Sequence, residues 1–348
     1  AGGGAKTYVD DVFSTFLYTG TGSARSIDNG IDLAGEGGLV WIKNRDAAVN
    51  HWLFDTERGA NEYLRTDSAN AGGTVSDYLT AFNSNGFNLG SNAQVNNSGD
   101  STCSWSFRKA PGFFDVVTYT GNGVAGRSVA HNLGSKPGMI LVKRTDGTAD
   151  WIVYHRSIGY EGFLILNSTN EEYQYSNRWH AEPDANNFYV GSGYNLNNNN
   201  NETYVAYVFA HDDQSFGTGD DESIIKCGSY TGISSGKKEV DLGFEPQWIM
   251  IKNTGVGSAY ATWIMFDNMR GVVTNGNDTA LSANYSDAEG STYNYADEFI
   301  EFTPTGFKVK ASNTPTCTGG GNFIYMAIRR PNKPPEVGTE VFAVDTRG

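Results

Sequence analysis

Short apolar segments bounded by Gly, Asn, Asp or Ser recur along the whole chain. Each segment is rich in β-branched and aromatic residues, which is typical of β-strands. Residues 103–107 and 307–310 alternate apolar with polar side chains, and such alternation predicts a strand with one buried face and one face in solvent. Helical periodicity is weak throughout. The pattern therefore predicts an all-β protein.

Five of these segments recur in the same order three times. The first is Tyr-Thr-Gly; the second is an apolar run that leads into a lysine; the third is a Trp followed by apolar residues. The fourth is a strand built on Phe, and the fifth is a closing aromatic strand. The copies occupy residues 18–20, 119–121 and 230–232; 39–44, 139–144 and 248–253; 52–55, 151–155 and 263–267; 86–90, 187–191 and 306–309; 103–107, 204–209 and 323–328. Repeats of this kind indicate tandem structural units.

The spacing of the copies predicts three tandem β-sandwich modules of jelly-roll-like type. Module 1 spans residues 8–113, module 2 spans 114–212 and module 3 spans 224–331. Residues 1–7 read as a flexible linker, 213–223 as an acidic, Gly-rich linker, and 332–348 as a Pro-rich tail that resembles the start of a further unit. Because the first junction is shorter, we expect modules 1 and 2 to dock more rigidly than modules 2 and 3. The Trp of the third segment is expected to fill the core between the sheets of its module.

Composition and charge narrow the range of partners. The 348 residues are 39% hydrophobic and 13% aromatic, which is enough for a packed core, and 43 glycines supply turns. The formal net charge of −14 repels phosphate backbones and anionic lipid, so we expect neither a nucleic-acid nor a membrane partner. Three widely spaced cysteines form no disulfide framework. The chain begins at Ala1 without Met, as expected of a processed protein or a piece of a longer one.

Motifs for catalysis or for bound cofactors are weak. The Gly-rich segment 121–126 leads into no helix and reads as a hairpin loop, and the five histidines lack metal-ligand spacing. His155 stands where the other copies have Asp55 and Asp267, which a shared functional site would not exchange. The sequence therefore predicts a non-enzymatic protein with no catalytic, cofactor or metal residues.

A loop Ca²⁺ site is the alternative that the acidic residues leave open. Carboxylates cluster in the second linker and in one turn of module 3, without the spacing of an EF-hand, and a solvated linker is the favoured interpretation. These residues are Asp212, Asp213, Asp220, Asp221, Glu222 and Asp278.

Tyrosines in polar loops form the candidate contact surface, because the ring offers rigid, amphipathic contact area to a sugar or a protein. The alternative is that they pack loops over the ends of the sandwiches. The residues are Tyr160, Tyr173, Tyr175, Tyr194, Tyr285, Tyr293 and Tyr295. A run of five asparagines, residues 197–201, reads either as a hairpin tip or as an exposed polar contact surface.

Three stretches, residues 38–64, 106–123 and 131–156, resemble the uncharacterised repeat modules of large structural proteins from marine tailed bacteriophages. The resemblance extends over about residues 8–331 and implies a tail fibre, appendage or capsid-surface component of a virion. It implies assembly in the host bacterial cytoplasm and contact with other virion proteins, and defines no catalytic residues to carry over.

The leading hypothesis is therefore a non-enzymatic virion structural protein that contacts the host surface, including its glycans, and that forms a homo-oligomer. The first alternative is a secreted bacterial carbohydrate-binding or adhesive protein. A polysaccharide depolymerase is a third hypothesis, which would need paired carboxylates across a groove.

Overall fold

The computed structural model describes residues 6–192, 197–255, 261–272, 274, 276–291, 296–311 and 315–334. Within these residues nearly all regular structure is antiparallel β, arranged as sandwich-like modules, which confirms the predicted fold class. The tail beyond residue 334 and residues 1–5 lie outside the described part of the chain.

Module 1 contains a six-stranded sheet and a three-stranded sheet. Its elements are α1 (Val9–Val12), β1 (Phe13–Thr19), β2 (Arg25–Asp28), β3 (Gly38–Asn44), β4 (Trp52–Asp55), β5 (Glu62–Leu64), β6 (Gly73–Thr74), β7 (Leu79–Asn83), β8 (Gly86–Leu89), α2 (Ala93–Asn96) and β9 (Ser101–Arg108). The strand order is β1-β9-β3-β4-β5-β6 in the large sheet and β2-β8-β7 in the small one.

Module 2 repeats this arrangement. Its strands are β10 (Phe114–Thr120), β11 (Arg127–Ala130), β12 (Met139–Arg144), β13 (Ile152–His155), β14 (Gly162–Ile165), β15 (Tyr173–Gln174), β16 (Trp179–Ala181), β17 (Asn187–Val190) and β18 (Thr203–Phe209). The large sheet has the order β10-β18-β12-β13-β14-β15, and the small sheet has the order β11-β17-β16.

Module 3 follows the same plan. Its strands are β19 (Ile225–Thr231), β20 (Lys237–Asp241), β21 (Pro246–Asn253), β22 (Trp263–Asp267), β23 (Asp278–Thr279), β24 (Leu281–Ser282), β25 (Ala296–Asp297), β26 (Ile300–Thr303), β27 (Gly306–Lys310) and β28 (Asn322–Arg329). The large sheet has the order β19-β28-β21-β22-β24, the small sheet has the order β20-β27-β26, and β23 pairs with β25.

The Tyr-Thr-Gly segments have a structural role. Each Tyr hydroxyl donates to a backbone carbonyl just before the last strand of its module: Tyr119 to Asn197, for example, at 2.6 Å. The glycine that follows allows close approach, since a Cβ on Gly121 would lie 1.9 Å from the carbonyl oxygen of Asn199. The shared strand order and these shared contacts support the interpretation that the chain is a triplicated unit.

The central strands of each large sheet are buried on both faces, which explains their continuous apolar sequences. Leu39 and Trp41 face a central core that the three modules share. Val40 and Ile42 face the small sheet of their own module. The predicted half-exposure of residues 103–107 is therefore wrong: Ser104 and Ser106 are fully buried, because the small sheet covers that side. In residues 307–310 the alternation holds, with both lysines partly exposed.

The modules close on one another through corresponding backbone contacts. The N–H of Gly72 donates to the Thr145 carbonyl at 3.1 Å, joining modules 1 and 2. Corresponding bonds of 2.9 and 2.8 Å join modules 2 and 3 and modules 3 and 1: Glu172 to Thr254, and Glu289 to Arg45. Module 3 thus docks on module 2 through a backbone bond that corresponds to the one between modules 1 and 2. Phe216 of the 213–223 linker is itself 2% exposed and packs in the central core.

The two ends of the described chain meet beside this linker. The Val9 N–H donates to Asn332 Oδ1 at 3.0 Å, and the Asn332 N–H donates to Asp10 Oδ2 at 3.0 Å. Asn332 Nδ2 also donates to Glu222 Oε2 of the linker at 2.8 Å. One side chain therefore ties together the start of module 1, the 213–223 linker and the residues after module 3.

Candidate functional site

The four candidate tyrosines that lie within the described residues differ in their burial. Tyr173 and Tyr175 are 38% and 39% exposed in module 2. Tyr160 packs against the central core, and Tyr285 is half-buried in module 3. The ring of Tyr173 stacks on Phe163 at 5.1 Å, as a loop-packing residue does. The remaining candidates, Tyr194, Tyr293 and Tyr295, lie outside the described residues.

Four of the candidate acidic residues, Asp212, Asp220, Glu222 and Asp278, lie in ion pairs or backbone contacts. Asp278 Oδ2 accepts from the N–H groups of Phe299 and Ile300 at 2.7 and 2.8 Å. In the linker, three of the acids pair with basic residues, and these pairs are Asp212 with Lys226, Asp220 with Lys6, and Glu222 with Arg329. Where the structure describes the chain, no three His, Cys, Asp or Glu side chains are grouped so that they could hold a metal ion.

The asparagine run is partly structural. Asn197 and Asn198 are 0% and 2% exposed. Asn198 Nδ2 donates to the carbonyls of Val124 and Gly191 at 2.9 and 2.8 Å, as Asn96 of module 1 does to Ser23 and Gly90. The start of the run therefore braces loops within module 2. No helix in the described ranges has the length and apolar character needed to cross a membrane.

Three sets of buried polar side chains lie where modules meet, and the first set is aromatic. Trp151 Nε1 donates to the Arg65 carbonyl of module 1 at 2.8 Å, and Trp263 Nε1 donates to the Ile165 carbonyl of module 2 at 2.9 Å. His51 holds this place in module 1, against the Ser282 backbone of module 3. The predicted equivalence of Trp52 with the other two tryptophans is thus wrong by one residue.

Strand pairing gives the reason for that correction. Trp52 lies opposite Ile42 just as Ile152 lies opposite Val142, whereas Trp263 lies opposite Lys252. Trp52 fills the core between the two sheets of module 1, as expected. Trp151 and Trp263 instead face the central core that the modules share.

One fully buried lysine per module forms the second set. Their ammonium groups donate to backbone carbonyls of the neighbouring module: Lys43 to Ser286 at 3.1 Å, Lys143 to Ala69 at 3.1 Å, and Lys252 to Thr169 at 3.3 Å. No carboxylate among the described residues pairs with any of them. Burial lowers the pKa of Lys43 and Lys143 to about 8, and that of Lys252 to about 7, because a charged ammonium loses its hydration there.

These lysines predict that stability rises with pH between about 7 and 10. The unfolded chain keeps each ammonium proton up to about pH 10.4, whereas the folded chain releases it near 7 or 8. The unfolded state therefore binds more protons in this window, and each released proton adds up to roughly 1.4 kcal/mol of stability per pH unit.

Replacing Lys252 with methionine is expected to flatten this pH dependence by up to that amount, whatever it does to stability at one pH. Guanidinium unfolding at pH 6.5 and 9.0 measures the difference. Lys136→Met is the control, because the Lys136 side chain is 51% exposed. Equal gains in wild type, Lys252→Met and control would contradict the prediction.

The third set comprises Asp55, His155 and Asp267, which stand at one position of the three modules. Asp55 Oδ2 accepts from the Tyr207 hydroxyl of module 2 at 2.8 Å, and Asp267 Oδ2 accepts from Trp105 Nε1 of module 1 at 3.2 Å. The last strand of module 3 has Met326 at this place, opposite Met250, and Met carries no such donor. His155 there donates from Nε2 to the Tyr325 carbonyl at 3.1 Å, while its Nδ1 accepts from the Ser157 N–H. The residue type thus follows its partner across the boundary.

Two grooves open at the module boundaries. The groove between modules 1 and 2 has a volume of about 490 Å³, and the one between modules 2 and 3 has a volume of about 350 Å³. The first is lined by Arg58, Thr118, Tyr119, Thr120, Thr145, Thr203 and Tyr204. The second is lined by Ser157, Ile158, Glu172, Ser229, Tyr230, Thr231, Thr254, Asn322, Phe323 and Ile324. The described residues therefore offer hydroxyl-rich clefts at two boundaries.

The sequence contained a partial signal for these boundary sites. The lysine that closes each apolar run recurs at Lys43, Lys143 and Lys252, and a lysine repeated inside a buried strand marks a special contact. Its partners lie in another module, so spacing along the chain could not identify them.

A search of curated proteins finds no match to this sequence. A family profile does match, over residues 9–331, and so includes all three modules. The chain therefore belongs to the family described as domain of unknown function DUF7483.

Proposed function

We propose that the protein is a non-enzymatic structural component of a tailed-phage virion, exposed on an appendage, fibre or capsid surface, where it contacts the host. One observation carries the non-enzymatic part. The buried lysine that recurs in each module, and His155 of module 2, donate to a neighbouring module. Lys252, whose pKa burial lowers to about 7, and His155, whose pKa burial lowers to about 4, both donate to backbone carbonyls in the interior.

The arrangement of the modules refines this proposal. Three modules in a row would make a long spacer, but here each module contacts the other two around one central core. Such a unit suits a knob or decoration that presents surface, with acidic charge that limits adhesion to DNA during assembly.

Mass spectrometry of purified virions tests the assignment, together with light scattering of the native full-length protein. We expect the protein in particles, in a fixed ratio to the major structural proteins. Its absence from particles would overturn the phage assignment.

A secreted carbohydrate-binding protein is the second candidate, and the two hydroxyl-lined grooves favour it. Recovery of the protein from culture medium of an uninfected bacterium, with none in particles, would select this candidate over the first.

A further inference from the structure

The three module boundaries carry the same side-chain positions but differ in whether a groove is open. The position that follows the buried lysine by two residues is Thr145 between modules 1 and 2 and Thr254 between modules 2 and 3. Between modules 3 and 1 it is Arg45. The backbone confirms the equivalence, since their N–H groups donate to Thr203, Asn322 and Ser101, at matching places in the last strands.

Arg45 fills the boundary between modules 3 and 1. Its Nε pairs with Glu289 Oε2 at 2.7 Å, and Arg270 Nη1 pairs with Glu289 Oε1 at 2.8 Å. The side chain of Arg270 is fully buried, and those of Arg45 and Glu289 are 19% and 10% exposed. Among the described residues, Arg45 and Glu289 thus occupy, beside Arg270, space that a threonine leaves open at the other two boundaries.

The open grooves share an aromatic wall as well. Tyr119 stacks on Tyr204 at 5.2 Å beside the first groove, and Tyr230 stacks on Phe323 at 5.1 Å beside the second. At the closed boundary the partner of Tyr18 is Thr102, so the stacked pair is absent there. Among the described residues, an open groove and a stacked aromatic pair therefore occur together at the boundary between modules 1 and 2 and at the boundary between modules 2 and 3.

The side chains that line the grooves indicate which class of ligand would bind there. In the first groove four threonines surround the space, and Thr118, Thr120 and Thr203 are exposed. The one charged residue there, Arg58, already pairs with Asp55 at 2.6 Å. Hydroxyl groups both donate and accept hydrogen bonds, as the hydroxyls of a sugar do. The volumes fall in the roughly 300–1,000 Å³ range of small-ligand sites.

We propose that these two grooves each bind a segment of a neutral oligosaccharide and that the boundary closed by Arg45 does not. Neutral sugar fits better than acidic polysaccharide, because the chain carries a net charge of −14. Sugar binding in the grooves would supply the proposed contact with the host surface, and its biological setting rests on that proposed function. The binding itself is a property of the isolated protein.

The test closes each groove with the side chain that closes the third boundary. Thr145→Arg is designed to block the first groove and Thr254→Arg to block the second. Glu172 lines the second groove and can pair with the new guanidinium. Thr80→Arg, at an exposed position on β7, is the matched control. Isothermal titration calorimetry uses maltohexaose, cellohexaose, laminarihexaose and chitohexaose as probes.

We expect at least one probe to bind the wild type and the Thr80→Arg control at two sites per chain. Each groove variant should lose one site, and the double variant both. Absence of binding by every probe, or binding that survives the double variant, overturns the proposal. So does binding only to peptides, which would favour strand addition at the edges of β10 and β19.

A second measurement needs no variant. Methyl signals of Thr118, Thr120 and Thr145 are expected to shift when the binding probe is added to threonine-labelled wild-type protein; unchanged signals at saturation overturn the assignment.

Virion mass spectrometry distinguishes failure of the ligand proposal from failure of the phage proposal. A protein present in particles that binds no probe refutes the ligand, whereas a binder absent from particles refutes the phage setting.

Discussion

Replacement of Asp267 with alanine is expected to lower the free energy of unfolding by about 3–5 kcal/mol, because it leaves a buried guanidinium without its nearest counter-charge. Asp267 Oδ2 lies 2.6 Å from Arg270 Nε, and both side chains are fully buried. The same carboxylate accepts from Trp105 Nε1 of module 1. The substitution therefore disrupts module 3 and its boundary with module 1 together.

Guanidinium unfolding followed by tryptophan fluorescence measures this loss. The matched control is Asp146→Ala, which removes a carboxylate 2.7 Å from Arg144 in a pair whose side chains are 21% and 39% exposed. An exposed pair of this kind contributes about 0–1 kcal/mol. Comparable losses in the two variants would show that burial does not govern the strength of these pairs here.

Trp263→Ala is expected to lower the free energy of unfolding by about 3–5 kcal/mol, because it leaves a cavity in the central core. The ring is 1% exposed, and its Nε1 donates to the Ile165 carbonyl of module 2. Trp263→Phe keeps most of the side-chain volume but loses the hydrogen bond, whose net contribution to stability is about 0.5–1.5 kcal/mol.

The comparison separates packing from hydrogen bonding at the boundary between modules 2 and 3. Thermal and denaturant unfolding of both variants are measured beside Tyr173→Ala, since Tyr173 is 38% exposed and lies outside the central core. A single transition is expected in each case, because the three modules share that core. A Trp263→Ala protein as stable as the Tyr173→Ala protein would refute the cavity argument.

The sequence predicted the strands well where local pattern decides them. Segments such as residues 39–44 and 323–328 form strands because their apolar, β-branched and aromatic residues favour the extended backbone of a sheet. The Gly and Asn residues around them favour turns and so end each strand. Ser104 and Ser106 show where local pattern misleads. They are buried by a sheet formed from distant residues, and alternation carries no information about such a cover.

The boundary sites were harder to predict because each is divided between modules. Asp55 binds a tyrosine 152 residues away, and Thr66 donates to the carbonyl of Ala283, 217 residues away, at 2.6 Å. The tandem repeat predicted units in a row, whereas the shared apolar faces of the large sheets require them to meet. Of the tyrosines predicted to form a contact surface, Tyr160 packs against the central core, whereas Tyr173 and Tyr175 are exposed. The grooves contain Tyr119 and Tyr230, which the sequence presented only as markers of the repeat.

The meeting of Val9, Asp10 and Asn332 has a mechanical consequence. Tension applied at Tyr8 and Lys333 would pull two adjacent segments apart instead of stretching the protein along its length. The load would fall first on the few hydrogen bonds made by Asn332, one after another, while the core of the three modules stayed unstrained. A pull between these two points would therefore separate the two segments before it disturbed the packing of the three modules.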